Sequence, residues 1–357
     1  MQVIIVSPSL DPTKNVSGVS SVTKFIIENN PCHKYIHFKL GRKDDEKGGF
    51  YRIGSIFQSF KEWKRLLNKY PDAIVHYNFP LEKQSVIRDT PFMHAALKNG
   101  NKMVVHIHGG SFLTSDKIPF PYRQILNRVF SWQLPFIALS EKEAETLRNK
   151  FHAKLVVSLP NCIDIGEAKA FERDYSDKAS PLTLGYLGRI TKTKGMEYLL
   201  KACNILKERN IPFCLKLAGT EGVKGEFLPV FWKTLGNNFE YCGLVSGKEK
   251  DNFLKSMDLF VMPTFFEGLP MSLLECMAYG VVPIITPVGS IPTVITDQHN
   301  GLFINVKDAE SIAEAVCFLH THREKLEQMS KSSRNYIFEH FDPQTYINCL
   351  NTIYSNC

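Results

Sequence analysis

"PTFFEGLPMSLLECMAYG", residues 263–280, sets two glutamates, Glu267 and Glu275, in otherwise apolar company. The run "DLFVMPT" that leads into it reads as a strand. Pro270 suits the first turn of a following helix, because its missing N–H would have no partner there. The stretch is therefore strand, loop and helix, with Glu267 on the strand-end loop and Glu275 one to two turns into the helix. Gly268 allows backbone to approach a ligand closely. The amides of Leu269 to Ser272 open a helix N-terminus suited to phosphate. Two carboxylates beside such a site fit a ligand that carries both hydroxyls and phosphates. Taken alone they equally fit a loop Glu and a helix Glu in surface ion pairs.

The same alternation runs outward in both directions. "QVIIVSP" precedes a helix near 18–29, "AIVHYN" one near 83–98, "MVVHIHG" one near 121–131, and "PFIALS" the helical "EKEAETLRNKF". Ser140 is the expected N-cap of that last helix, with Glu143 completing a capping box. A polar, irregular stretch at 166–181 reads as a linker. The pattern then restarts with "LTLGYLGRI", a helix at 194–208, "FCLKLAG", "FEYCGLV", a helix at 247–256, "LFVMPT", a helix at 271–280, "VPIITP" and a helix near 308–319. Continuous apolar strands alternating with helices predict parallel sheets covered on both faces. Two such α/β halves imply a cleft, with ligands outside the carboxyl ends of the strands.

Composition narrows the class. The chain has 357 residues, 44% of them apolar and 22% charged, a normal globular balance with room for two domains. The N-terminus has no basic n-region and reads as a short strand, not a signal peptide. No apolar run approaches the roughly 20 residues of a membrane-spanning helix. Nine cysteines without CxxC pairing predict a reduced, cytoplasmic protein, and no spacing suits a zinc site. The net charge of +7 is uneven: residues 1–165 carry 23 Lys and Arg against 14 Asp and Glu, the remainder 20 against 22. The excess is densest at Lys34, Lys39, Arg42, Lys43, Lys47, Arg52, Lys61, Lys64, Arg65 and Lys69. It reads either as a solvated surface or as a patch for anionic lipid or an acidic acceptor. No nucleic-acid-binding motif accompanies it.

Two further segments point to the chemistry of the 263–280 stretch. "YLGRITKTKG" ends a strand at Gly188 and then offers Arg189, a fixed planar cation, and Lys194, a compact one. Together they suit a diphosphate and the charge on a departing phosphate; on their own they would be an exposed basic loop. In "VVHIHGG", alternation places His106 and His108 on one side, and His108 is nearer the strand end and its glycine pair.

With these segments in hand, the chain resembles the large retaining glycosyltransferase family that includes glycogen synthases and many bacterial mannosyl- and galactosyltransferases. The Glu, seven residues, Glu pattern in "FFEGLPMSLLECMAYG" carries the resemblance. "SGVSSV" at 17–22 is similar to the family's glycine-rich loop, and "HIHGG" to its His loop. "LPNCID" at 159–164 looks like its interdomain segment and "LGRITKTKG" like its phosphate clamp. "LAGTEG" and "YCGLV" look like its strand ends, and "HFDPQTYINCLNTIY" like its closing helix.

The resemblance implies an α/β GT-B fold: two Rossmann-like domains whose parallel sheets face across a cleft. The N-terminal acceptor domain would span 1–165, with a closing helix at 340–357 packing back on it, and the nucleotide-sugar donor domain would span 180–335. Arg189 and Lys194 would bind the donor diphosphate and Glu275 the ribose. Glu267 would contact the transferred sugar, with the amides of Gly268 and Leu269 nearby. His108 would hydrogen-bond that sugar. Gly18, Gly188 and Gly219 would lie at the phosphates and strand ends, and the backbone at Tyr241 would meet the base. Catalysis would fall to His108, Glu267, Arg189 and Lys194. The expected reaction is transfer of a hexosyl group with retention, without a metal or other cofactor. The donor would be a UDP-sugar in preference to a GDP-sugar, and the acceptor a saccharide or lipid-linked glycan. Such enzymes build lipopolysaccharide, capsule or exopolysaccharide in the cytoplasm, with peripheral attachment to the inner membrane face. Two departures stand out: Ser17-Gly18 where many relatives have Gly-Gly, and Thr293 where relatives usually carry Glu. The competing readings are a nucleotide-sugar epimerase and a non-catalytic sugar-nucleotide binder. A nicotinamide dehydrogenase is disfavoured because no G-x-G-x-x-G follows the first strand.

Overall fold

The computed structural model describes residues 1–11, 17–41, 50–177 and 179–357. Of the basic residues singled out above, Arg42, Lys43 and Lys47 lie outside the described residues. The chain divides into two compact units, residues 1–162 with 343–357, and residues 163–342.

The first unit is a parallel six-stranded sheet. Its strands are β1 (Gln2–Ser7), β2 (Lys34–Lys39), β3 (Ile74–Phe79), β4 (Met103–Ile107), β5 (Pro135–Ala138) and β6 (Leu155–Ser158), in the order β2-β1-β3-β4-β5-β6. The crossovers are α1 (Gly18–Asn29), α2 (Phe50–Lys69), α3 (Lys83–Lys98), the short α4 (Ser111–Thr114), α5 (Tyr122–Phe130) and α6 (Glu141–Phe151). β1, β3 and β4 are buried on both sides, and Ile4, Val75, Val105 and Ile107 are fully buried. Two-sided burial is what a sheet covered by helices on both faces demands. Ser140 caps α6 as expected, its hydroxyl accepting from the Glu143 amide at 3.2 Å. The Glu143 carboxylate accepts the Leu139 N–H at 3.2 Å.

The second unit repeats the plan. Its strands are β7 (Leu182–Leu187), β8 (Phe213–Ala218), β9 (Phe239–Gly243), β10 (Leu259–Met262), β11 (Val282–Ile285) and β12 (Leu302–Phe303), all parallel, in the order β12-β11-β10-β7-β8-β9. Its helices are α7 (Gly166–Lys169), α8 (Met196–Glu208), α9 (Leu228–Leu235), α10 (Gly247–Lys255), α11 (Met271–Ala278), α12 (Ala309–Thr321) and α13 (Arg323–His340). The polar stretch after α7 is tied to this unit. Arg173 donates to the Tyr279 carbonyl at 3.2 and 3.3 Å, and Tyr175 meets Ser330 at 2.6 Å.

The last helix, α14 (Pro343–Ser355), returns to the first unit. It buries Tyr346, Ile347, Leu350, Ile353 and Tyr354, and Tyr346 packs edge-on against Phe25 of α1. The nine cysteines are all free thiols. No helix among the described residues is long and apolar enough to cross a membrane.

Candidate active site

In the second unit the chain steps outward from β7 through β8 to β9, then returns to β10 and steps the other way. The loops leaving β7 and β10 therefore part to opposite faces, and open parallel sheets bind ligands at that switch point. Those two loops carry six of the predicted residues, Gly188, Arg189 and Lys194 on the first and Glu267, Gly268 and Leu269 on the second.

The β7 loop begins at Gly188, whose N–H reaches the Ala218 carbonyl at 3.0 Å. The buried Tyr186 hydroxyl donates to the Arg189 carbonyl at 2.6 Å and fixes the turn, leaving the Arg189 side chain exposed. Lys194 sits in a 3-10 turn that ends at Gly195, with φ +76°. A Cβ at Gly195 would lie 2.0 Å from the Pro263 carbonyl, so only glycine permits this approach of the β7 and β10 loops. The Phe265 N–H donating to the Thr193 carbonyl at 2.9 Å completes the clamp.

That clamp brings Lys194 and Glu267, 73 positions apart, into an ion pair. The two side chains are 25% and 13% exposed, so the pair is open on one side only. Burial, and then the Glu267 charge, push the Tyr186 phenol far above its usual range. Gly268 accepts the Ser290 N–H at 3.0 Å. The glycine that close approach requires here is Gly289, at φ +59° with its would-be Cβ 1.9 Å from the Glu267 carbonyl. Leu269 is buried just ahead of α11, and Pro270 is the N-cap of that helix.

Glu275, on α11, is paired as well: Lys250 of α10 donates to it at 2.8 Å. The carboxylate holds the Lys250 ammonium above its usual pKa. Sequence reasoning missed Lys250, one of three lysines in "GKEKDNFLK" with no pattern to single it out. At the next strand ends, Gly219 donates to the Gly243 carbonyl at 2.8 Å, and the Tyr241 hydroxyl donates to the Gly219 carbonyl at 2.8 Å. Thr293, the departure noted above, spends its hydroxyl on the Ser290 carbonyl at 2.7 Å.

In the first unit Gly18 is the first residue of α1, and Ser17 caps that helix by accepting from the Ser20 amide. His108 follows β4, and its ring lies 4.1 Å from that of His106. Its Nε2 meets Asn78 Oδ1 of β3 at 2.6 Å. Burial pushes the His108 pKa down to about 3, which keeps the ring neutral. Here the switch point lies between β1 and β3. A small pocket of about 30 Å³ opens there, lined in part by Ser7, Asn78, Arg88 and Asp89. Asp89 is buried and bridged by two nitrogens of Arg88, at 2.5 and 2.8 Å. Neither residue carried a sequence signal.

Residues 169–336, which contain both carboxylates and both cations, match the family of glycosyl transferases group 1. This part of the chain is a group 1 glycosyltransferase domain. An uncharacterised glycosyltransferase of Methanocaldococcus jannaschii is 21% identical over 310 residues, 82% of this chain and 77% of that one. The UDP-Gal:alpha-D-GlcNAc-diphosphoundecaprenol alpha-1,3-galactosyltransferase of Escherichia coli is 24% identical over 73% of this chain and 70% of its own. Two relatives with 31% and 32% identity are matched over only 34% of their own length. The crystal structure of Anabaena HepE in complex with UDP-glucose superposes with a TM-score of 0.75 at 14% identity, covering 100% of both chains. At that identity the likeness establishes the GT-B glycosyltransferase fold.

Proposed function

We propose that this glycosyltransferase moves a hexosyl group, with retention, from a UDP-sugar to a saccharide or lipid-linked glycan in surface-polysaccharide assembly. The observation that carries the reading is the Lys194–Glu267 pair at the β7–β10 switch point, with Arg189 on the same loop. Arg189 and Lys194 bind the diphosphate and neutralise the charge that grows on it as the sugar departs. That stabilisation is made for the transition state rather than the ground state. Lys194 is neutralised by Glu267 without donor, so donor binding divides its charge between the carboxylate and a phosphate. Glu267 then faces the sugar carbon from which the diphosphate leaves. Glu275 accepts hydrogen bonds from the ribose hydroxyls, and His108 hydrogen-bonds a hydroxyl of the sugar. No metal ion or other cofactor takes part, because the two cations cover the diphosphate. The Escherichia coli relative, by its name, uses UDP-galactose and a diphospholipid-linked sugar, which supports this donor class and acceptor type.

A thermal-shift screen of nucleotide sugars tests the donor assignment. A donor at 100 times its Kd adds about 2.7 kcal/mol to stability. Stabilisation by GDP-sugars alone overturns the UDP preference.

The opening pair of glutamates is expected to separate in function. Glu275→Ala weakens free UDP, since each charge-assisted hydroxyl contact contributes roughly 1.5–3 kcal/mol. Glu267→Gln leaves UDP affinity nearly unchanged and lowers turnover, because its contact strengthens only as charge develops on the sugar. Calorimetry with UDP beside initial rates with the full donor reads both. Equal loss of UDP affinity in the two variants rejects this division of roles.

Membrane attachment rests on the basic half. Lys61, Lys64, Arg65 and Lys69 of α2 are exposed, and Phe57 on the same helix is 67% exposed. Each cation near an anionic bilayer contributes about 1 kcal/mol. Sedimentation with phosphatidylserine vesicles is expected to weaken as salt rises; equal binding to neutral vesicles contradicts the attachment.

A further inference from the structure

His108 Nε2 lies 2.6 Å from Asn78 Oδ1, and the surrounding hydrogen bonds decide which atom holds the proton. The Asn78 amide nitrogen donates to the Val6 carbonyl at 2.8 Å and meets Thr23 Oγ1 at 3.1 Å. Thr23 has already given its hydroxyl proton to the Val19 carbonyl, at 2.8 Å, so Thr23 Oγ1 accepts. Asn78 is thereby held with Nδ2 toward β1 and α1 and Oδ1 toward His108. An amide oxygen only accepts, so His108 Nε2 must carry the hydrogen. In a neutral imidazole the other nitrogen, Nδ1, is then a lone-pair acceptor.

We propose that Asn78 is a positioning residue that presents His108 as a neutral hydrogen-bond acceptor at Nδ1, suited to a hydroxyl of a sugar ligand. This rests on the function proposed above, and it sharpens that function: His108 receives a hydrogen bond instead of giving one. A phosphate or carboxylate oxygen, which has no hydrogen to offer, is turned away by the same lone pair. Among the described residues, His106 of β4 packs against the ring, and His76 of β3 lies against His106. Beyond them Tyr354 of α14 meets His76 Nδ1 at 2.7 Å. Both histidines are fully buried, and burial lowers their pKa values, so the floor under His108 stays uncharged.

Nitrogen-15 spectra of the imidazoles in the full-length protein test the assignment without any ligand. His108 is expected to show the protonated-Nε2 tautomer near neutral pH. A protonated Nδ1, or an imidazolium, overturns the proposal. In Asn78→Ala the two tautomers are expected to mix, whereas an unchanged spectrum removes Asn78 from the role. In Asn78→Asp the carboxylate favours the imidazolium, raising the His108 pKa by about 1–3. A His108 pKa equal to the wild type in a folded Asn78→Asp protein also overturns it. The underlying function fails separately: His108→Gln with full turnover of the donor would remove His108 from the reaction while leaving its tautomer as assigned.

Discussion

Lys194→Ala is expected to lower turnover by about 100- to 1000-fold, with a smaller loss of stability beside it. One preorganised contact to developing charge contributes about 2.7–4 kcal/mol to the transition state, which sets that range. The stability loss has a separate origin. Glu267 is 13% exposed, and without Lys194 its charge loses the cation beside it. Breaking a fully buried pair costs about 3–5 kcal/mol; one open on one side costs less. Arg189→Ala, at an exposed side chain on the same loop, is expected to lower turnover in the same direction. The double variant should not lose the sum of the two effects, since both cations act on one phosphate pair. Initial rates with the donor identified by the screen, together with melting temperatures, separate the two contributions. Near-normal turnover in the double variant would falsify the phosphate clamp.

Gly195→Ala is expected to be among the most damaging single methyl groups in the second unit. Its Cβ would sit 2.0 Å from the Pro263 carbonyl oxygen and 2.8 Å from its carbon, both backbone atoms. Neither can rotate away, so the β7 and β10 loops must separate. Left-handed strain adds about 1–2 kcal/mol. The total is expected to exceed about 3 kcal/mol, a melting shift of roughly 6–12 °C for a unit of this size. Gly225→Ala is the control: its φ is also +76°, but nothing lies within 4 Å of the added atom. It should lose the strain term alone. If both variants melt together, close approach of the two loops is not what Gly195 is needed for.

The architecture was legible wherever burial on both faces forces an unbroken apolar run. "VIIVS" and "LFVM" announce strands because a two-sided interior favours apolar side chains on both faces. β2 and β6 escaped for the opposite reason. They are the edges of their sheet, and "KYIHFK" mixes lysines and a histidine into a half-exposed strand. The strand-end loop bearing Glu267 could be read from Pro270 and the apolar run before it. The cation it pairs with could not, because that contact is made by the fold across 73 residues. Glycine was the least readable element. Gly219, singled out at its strand end, does meet backbone, 1.8 Å from the Gly188 carbonyl, but Gly268 drew attention beside Glu267 while the close approaches of that loop fall at Gly195 and Gly289. Which glycine must lack a side chain depends on what packs against it. Asn78 shows the same limit: in "IVHYNFP" it reads as one polar residue in a buried strand, and its value lies in orienting another side chain.

The return of α14 to the first unit also sets a timetable for synthesis. The 180 residues from Ile163 to Asp342 leave the ribosome before the helix that completes the first unit. At about 5–20 residues per second, that interval lasts roughly 10–40 s. Through it, Phe25 of α1 and His76 of β3 lack the Tyr346 and Tyr354 rings that cover them in the finished protein. The nascent chain therefore carries one closed unit and one unit with an open apolar face, a window in which a chaperone or a second nascent chain can occupy the place reserved for the last helix.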